Sequence, residues 1–530
     1  MTRSDPGRIL RLDLDPESDA GWITDLLAGL PDDRLVPLAE PAGFAGTLRP
    51  YQRRGLGWLA FLSRLGLGGC LADDMGLGKT AQLLALLAHE RAQPPAGGIG
   101  PTLVVCPLSV VHNWETEAAR FTPSLRVHVA HGADRVRGDE LVALAGGTDL
   151  VVTTYAVATR DAADLARVPW QRIVADEAQQ IKNAHTNAAR ALKRLPARQK
   201  LALTGTPVEN RLSELWSVMD LANPGLLGSQ RSFRERFAIP IERHRQQEAT
   251  DALRTLVQPF LLRRSKADRS LVPDLPPKVE QVAWCALTRE QATLYQSAVD
   301  VLLETLESMR AGPDDGRGSS IDRRGAILAA LTRLKQICNH PAQFLHDASR
   351  LDGRSGKLAR FEELVDDLLD SDERLIVFTQ FREMGDLLVR HLSDRNGLAV
   401  PFLHGGVAKA RRDRMVGSFQ QGEGGPILLV SLKAGGSGLN LTAASRVVHY
   451  DRWWNPAVED QASDRAWRIG QQRTVLVHQL VCQGTIEERI DTVIREKRAL
   501  ADHVLGSGEA WVTELSTDEL RDLVTLRGAP

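Results

Sequence analysis

The segment LADDMGLGKT, residues 71–80, sets glycines ahead of a lysine and a hydroxyl in the order that phosphate chemistry needs. A glycine-rich turn lets backbone N–H groups come close to phosphate, and a helix that starts behind it adds its positive N-terminal end. Asp74, Met75, Gly76, Leu77, Gly78, Lys79, Thr80 and Ala81 form this candidate cradle. Lys79 is placed to reach the β- and γ-phosphates and the Thr80 hydroxyl to hold Mg2+. Asp73 stands where the strict G-x-x-x-x-G-K-[ST] pattern has its first glycine, so only the core Gly76–Thr80 is kept. The plain alternative is a glycine turn with a solvated lysine.

A second motif decides between them. IVADEA, residues 173–178, is an apolar run ending in two acids. Asp176 suits Mg2+ held through water, and Glu177 suits positioning or deprotonating an attacking water. A lone Asp-Glu pair is ordinarily a solvated strand end. A phosphate-loop lysine upstream, on an alternating α/β pattern, makes it half of a nucleotide site.

That pattern supplies the positioning elements. Short β-branched runs, TLVVC, DLVVTTY, RIVADE and KLALTGT, alternate with helical segments before residue 221. The rhythm returns in LIVFTQ, ILLVS, RVVHYD and VLVHQLV, after a mostly helical stretch from about 208 to 345. Continuous apolar runs separated by helices predict parallel sheets with crossover helices. The segment AGPDDGRGSS, 311–320, predicts an exposed loop.

Composition narrows the setting. With 43% hydrophobic and 25% charged residues the chain reads as globular. A net charge of -1 neither points to nucleic acid nor excludes it, since a large protein can hold a basic groove inside a neutral total. Five scattered cysteines without a CxxC pair read as reduced thiols. No signal-peptide core or membrane-length apolar run is visible, so a cytoplasmic, nucleoid-associated protein without membrane contact is expected.

The ordered motifs resemble those of the Swi/Snf-related ATPases of helicase superfamily two, in a bacterial-type member. LRPYQRRGLGWL resembles the adenine-recognising segment, with Gln52 as base reader. VVCPLSVVHNW, VVTTY and LTGTPVEN resemble the first-lobe coupling motifs, and LIVFTQF, LHGG, SLKAGGSGLNLTAAS and DRWWNPAVEDQASDRAWRIGQQR those of the second lobe. The segments FLLRRSKADRSLVPDLPPK and CNHP resemble those framing the family's helical insertion.

The resemblance implies an α/β fold of two RecA-like parallel-sheet lobes, a helical insertion between them, and ATP with Mg2+ as cofactors. It places a lead-in at 1–46, a first lobe at 47–262 with a protrusion from about 208, a connector and insertion at 263–350, a second lobe at 351–490 and a helical tail at 491–530. Lys79, Asp176 and Glu177 become catalytic, together with Arg465 and Arg468. Their spacing puts the two arginines on one face of a helix, where they would act as arginine fingers on the γ-phosphate. Gly438 joins the nucleotide-binding set. Ser109, Thr154, Thr204, Thr206, Lys433, Ser437 and Asn440 are candidates for backbone phosphate contacts; each alone also reads as turn chemistry. Arg263, Arg264, Lys266 and Arg269 have a plain reading as a solvated linker face; the resemblance makes them a conformational connector and a candidate for DNA contact.

Two positions depart from the family's pattern: Gln179 and Trp467 stand where histidines are usual. The expected function is an ATP-dependent translocase on double-stranded DNA that remodels protein–DNA complexes as a monomeric motor. The competing readings are a factor acting on RNA polymerase, a strand-separating RNA or DNA helicase, and a catalytically dead scaffold.

Overall fold

The computed structural model describes residues 35–94, 98–132, 135–205, 212–266, 268–311, 318–347, 349–435, 439–453, 456–492 and 517–526. The chain divides into two compact units, Met1–Pro273 and Asp274–Pro530.

In the first unit, α1 (Pro50–Leu65) starts with a proline in its first turn, where the missing N–H costs nothing. It stops at Gly66, whose left-handed backbone (φ 66°) closes the last turn. After β1 (Gly69–Leu71) come α2 (Lys79–Ala92), β2 (Thr102–Cys106) and α3 (Leu108–Phe121). Strands β3 (Val127–Ala130), β4 (Leu150–Thr154), β5 (Trp170–Asp176), β6 (Ala197–Leu203) and β7 (Leu261–Leu262) complete a parallel sheet in the order β3-β4-β2-β5-β6-β1-β7. The apolar runs are buried on both faces: every residue of β1, β2 and β4 is buried.

Register decides what the sheet presents. Leu203 of β6 pairs with Leu71 of β1 on one side and with Asp176 of β5 on the other. Three strands therefore end at one level, and their next residues open a shared carboxyl edge, where ligands of parallel sheets bind.

The second unit contains β8 (Lys278–Cys285), the paired long helices α4 (Arg289–Ala311) and α5 (Gly318–Asn339), and strands β9 (Leu375–Thr379), β10 (Phe402–Leu403), β11 (Ile427–Ser431), β12 (Arg446–His449) and β13 (Val475–Cys482). Helix α6 (Pro456–Ser463) precedes β13, and α7 (Thr517–Val524) packs Leu520 and Val524 into this unit's core. The sheet order is β10-β11-β9-β12-β13-β8, again parallel. The two parallel sheets with flanking helices are the two RecA-like lobes expected.

Local details differ from expectation. Strand β8 lies inside the stretch read as connector and pairs with β13 along its whole length. It is an edge strand with Val279 and Trp284 partly exposed, so it lacks the continuous apolar run of a central strand. The expected loop 311–320 is helical at Ala311 and from Gly318 onward, its middle lying outside the described residues. All five cysteines are free and buried. Among the described residues no helix is long and apolar enough to cross a membrane.

Candidate nucleotide site and its surroundings

The phosphate loop leaves β1 and enters α2 at Lys79. Gly76 (φ 88°) and Gly78 (φ 76°) hold left-handed conformations, and a Cβ on Gly78 would stand 2.4 Å from Gln52 Nε2. The left-handed backbone favours glycine there, and a larger residue would also displace the Gln52 amide from the loop. Lys79 Nζ donates to the loop carbonyls of Asp73 (2.5 Å) and Asp74 (3.3 Å). The ammonium thus rests on its own cradle, where phosphate oxygens would replace the carbonyls. Gln52 Nε2 and the Tyr51 hydroxyl both donate to Leu77 O at 3.0 Å, and Gln52 Oε1 accepts the Arg49 N–H. The residue read as base reader is docked against the loop.

Asp73, the acid in the glycine's place, is fully buried. Its carboxylate takes Arg264 at both oxygens and Gln82 Nε2 at 3.2 Å. The guanidinium also reaches Gln82 Oε1 (2.7 Å) and the Tyr51 carbonyl, and lies over the Tyr51 ring. Asp74 accepts Ser265 Oγ and the Lys266 N–H, both at 2.9 Å. The reading of this segment as a solvated face is therefore corrected: Arg263 and Arg269 are exposed, but Arg264 and Lys266 are each only 3% exposed. A buried acid near the phosphate loop calls for a guanidinium partner, which spacing alone does not reveal.

Asp176 closes β5 and Glu177 follows it in the left-handed region (φ 50°), a strained choice for a non-glycine residue. Asp176's carboxyl is pushed up to about 7, first by burial and second by the neighbouring Glu177 charge; Trp114 and Lys79 pull it back. Lys79's charge is thus felt at Asp176, so the two motifs share one site. A buried acid beside a second carboxylate is relieved by a divalent cation, and the hydroxyl of Thr80 with the carboxylate of Asp176 gives the hard oxygen donors that Mg2+ takes. Glu177 Oε2 accepts Gln179 Nε2 at 2.7 Å, and Gln179 Oε1 accepts the Thr204 hydroxyl at 3.1 Å. Gln179 therefore bridges the ends of β5 and β6.

The phosphate-contact candidates separate. The Thr154 hydroxyl accepts the Val157 N–H and caps a helix, and Thr204 serves Gln179. Both side chains are buried, at 5% and 1% exposure, the first engaged as a helix cap and the second as a partner of the Gln179 amide. Ser109 lies in the first turn of α3, Lys433 in the short helix behind β11, and Asn440 is exposed. Thr206, Ser437 and Gly438 lie outside the described residues.

In the second unit the helix α6 ends at Ser463. Arg465 and Arg468 follow on successive turns, not on a helical face as their spacing suggested. Arg465 is 2% exposed and Arg468 half-buried. Trp467 donates to Pro276 O at 2.7 Å and carries Lys278 over its ring, so the indole in the histidine's place anchors the strand entrance to β8. Trp453 lies against this unit's own core. Behind it, Lys335 of α5 donates to Arg452 O at 2.5 Å. Asp451 accepts Thr379 Oγ1 (2.5 Å) and the Gln380 N–H (2.9 Å), while Arg452 pairs with Glu459 and Asp491. Sequence reasoning missed this buried network, and it missed Trp114 and Tyr155 around Asp176. Lys335 stands in an ordinary helical pattern, and only its placement among apolar residues hinted at burial.

Comparison with known proteins agrees with these motifs. Residues 51–343 match the SNF2-related domain and residues 356–470 the helicase conserved C-terminal domain. The chain is 45% identical over 499 residues to a putative ATP-dependent helicase/translocase, YwqA, of Bacillus subtilis, covering 94% of this chain and 52% of that protein. It is 33% identical over 550 residues to the TATA-binding protein-associated factor MOT1 of Saccharomyces cerevisiae, covering 92% of this chain and 29% of that one. Among solved structures, it is 41% identical to the Sulfolobus solfataricus SWI2/SNF2 ATPase core in complex with dsDNA, covering 93% of this chain and 100% of that one at a TM-score of 0.46. The chain spans about half the length of YwqA and less than a third of MOT1. By its motifs, its two parallel sheets and the domains it matches, the chain belongs to the SNF2-related family of helicase-like ATPases.

Proposed function

We propose that the protein is an ATP-dependent translocase that tracks along double-stranded DNA and remodels protein–DNA complexes without separating the strands. The observation that carries the nucleotide half is the common carboxyl edge of β1, β6 and β5, where Lys79, Thr204 and the Asp176–Glu177 pair follow strands in register. Lys79 and the loop N–H groups bind the phosphates, Thr80 and Asp176 hold Mg2+, and Glu177 orients the attacking water. Mg2+ held by these residues would supply charge neutralisation at the phosphates. Arg465 and Arg468 are the groups this reading assigns to the charge that develops on the γ-phosphate. Gln52 serves the base. The relative named as a helicase/translocase supports motion on nucleic acid.

The test is ATP turnover with duplex DNA, single-stranded DNA and structured RNA across a salt series, with Glu177→Gln as the bound but non-hydrolysing control. Duplex DNA should stimulate most, largely irrespective of sequence, and the effect should fall with salt because backbone phosphate is what is read. Equal stimulation by RNA, or none by DNA at low salt, contradicts the reading and favours an RNA helicase or a polymerase-directed factor.

A further inference from the structure

The second unit carries a cluster of ligand-type side chains that the nucleotide chemistry does not use. His391 belongs to the helix Arg382–Asn396, Glu362 to the helix Gly356–Leu369, and Asp352 to the turn before that helix. His391 shares the buried face of its helix with Met384, Leu388 and Leu392, at the spacing of a core-facing stripe. It is only 3% exposed. A histidine among such residues needs partners for both ring nitrogens.

Two acids flank the ring. Glu362 Oε1 lies 2.7 Å from Nε2, and Asp352 Oδ1 lies 3.5 Å from Nδ1. The other Asp352 oxygen accepts Arg350 Nε at 3.1 Å. The Glu362 oxygen is close enough to Nε2 for a hydrogen bond but lies off the direction in which the nitrogen donates, so this buried atom makes none. Arg395 is near, but it gives its two forks to Asp366 at 2.8 Å. A cation shared by Nε2 and the two carboxylates would satisfy the nitrogen and both charges together.

The spacing fits one ion. One donor atom from each of Asp352, Glu362 and His391 lies within 4.8 Å of the others. Zn2+ holds nitrogen and oxygen donors at ~2.1 Å, so donors on opposite sides of one ion are ~4.2 Å apart. Small rotations of the two carboxylates, both nearer the surface than the imidazole, bring all three onto it. Further coordination positions open on a cavity of about 650 Å³ that Arg390 and Asp394 also line. Imidazole with carboxylates suits Zn2+ and its transition-metal neighbours, whereas Mg2+ and Ca2+ take oxygen donors. Cys338, Cys482 and Glu487 also come together, but there Lys357 already binds both Glu487 oxygens at 2.6 and 2.7 Å.

We propose that Asp352, Glu362 and His391 bind one divalent transition-metal ion of the Zn2+ class, separate from the Mg2+ of the nucleotide site. The ion fastens a junction. The turn it holds follows the insertion helices, with the Leu351 carbonyl accepting His340 Nε2 at 2.9 Å and Arg354 donating to Glu290 at the start of α4. The ion ties that turn to two helices flanking the second sheet. The plain alternative, an imidazolium held between two acids, makes a different forecast: no stoichiometric metal binding and no stabilisation by metal.

The test uses the full chain, stripped of metal with a chelator and kept in excess Mg2+ so that sites of oxygen donors are occupied. Zn2+ and Co2+ are titrated in, with calorimetry, melting temperature and the Co2+ absorption spectrum as readouts. The parent should bind one equivalent of Zn2+ and melt higher with it, since the ion binds the folded state. Co2+ should show no thiolate-to-metal charge-transfer band, which separates this site from the cysteine cluster. Loss of a partner behind a ligand costs up to about 100-fold in affinity, so Glu362→Gln, which removes a ligand, should weaken Zn2+ binding at least that much. Asp352→Asn, on an exposed side chain that folding does not depend on, should weaken it in the same direction and abolish the rise in melting temperature. Parental Zn2+ affinity in both variants, a thiolate band with Co2+, or no stoichiometric Zn2+ binding by the parent each overturns the site.

Discussion

Arg264 and Asp73, 191 residues apart in the chain, meet as a buried two-point ion pair at the root of the phosphate loop. The acid occupies a place where the nucleotide-loop pattern has glycine, and the guanidinium comes from the segment that leads toward the second unit. Removing one partner strands a buried charge, so Arg264→Ala should destabilise the first unit by about 3–5 kcal/mol. The coupled change Asp73→Gly with Arg264→Met removes both charges and should recover much of that loss. Thermal unfolding of the single and double variants checks this; additive losses would show that the pair is not a unit.

Gln179 joins Glu177 to Thr204 through an uncharged amide. Gln179→Ala should leave ATP binding near parental and lower kcat about 10-fold or more, since it loosens the carboxylate that handles water. Gln179→His places a group with an ordinary pKa near ~6.5 at the bridge. Its pH–rate profile should gain a step in that region which the parent lacks. Steady-state kinetics from pH 5.5 to 8.5, compared between parent and both variants, provides the measurement.

Asp149 ties the end of α2 to the start of β3 by accepting Arg91 and Arg126. Burial raises its carboxyl, but the hydrogen bonds and charges of Arg126 and Arg91 outweigh it and hold the group at about 2. A pKa depressed on folding gives stability that is full above the unfolded value near ~4 and is lost as pH falls through the folded value. The stability difference between the parent and Asp149→Asn should therefore be constant at neutral pH and shrink between about pH 4 and pH 2. Denaturant midpoints at pH 7, 4 and 3 test it; a difference that grows on acidification contradicts the assignment.

Eight strands, β2, β4, β5, β6, β9, β11, β12 and β13, were legible because each is a continuous apolar run, and the phosphate loop because glycine, lysine and threonine sit at fixed spacing; the short strands β1, β3, β7 and β10 offer too few residues to show such a run. Strand β8 was not legible either, since an edge strand shows one half-exposed face and KVEQVAWC carries no such run. Arg465 and Arg468 were visible as residues but not as geometry: R-x-x-R reads as one helical face, and nothing in the spacing says that α6 stops at Ser463. The partners of the motifs were hidden more deeply. Arg264 looked like one charge in a basic linker, and its burial follows from Asp73, far away in sequence. Trp114 stood in the segment VVCPLSVVHNW, read as a first-lobe coupling motif, and only the end of β5 supplies the carboxylate that its N–H meets. Thr154 and Thr204 were visible as hydroxyls at strand ends, but not their partners: a helix cap for one and the Gln179 amide for the other.

The central claim is motion along duplex DNA without strand separation, and displacement assays on two substrates test it most directly. One carries a third strand in the major groove of a duplex; the other is a forked duplex of the same length. With ATP and Mg2+ the parent should strip the third strand and leave the fork paired, and Glu177→Gln should do neither. Efficient unwinding of the fork with the triplex left intact would contradict the account and make the protein a strand-separating helicase.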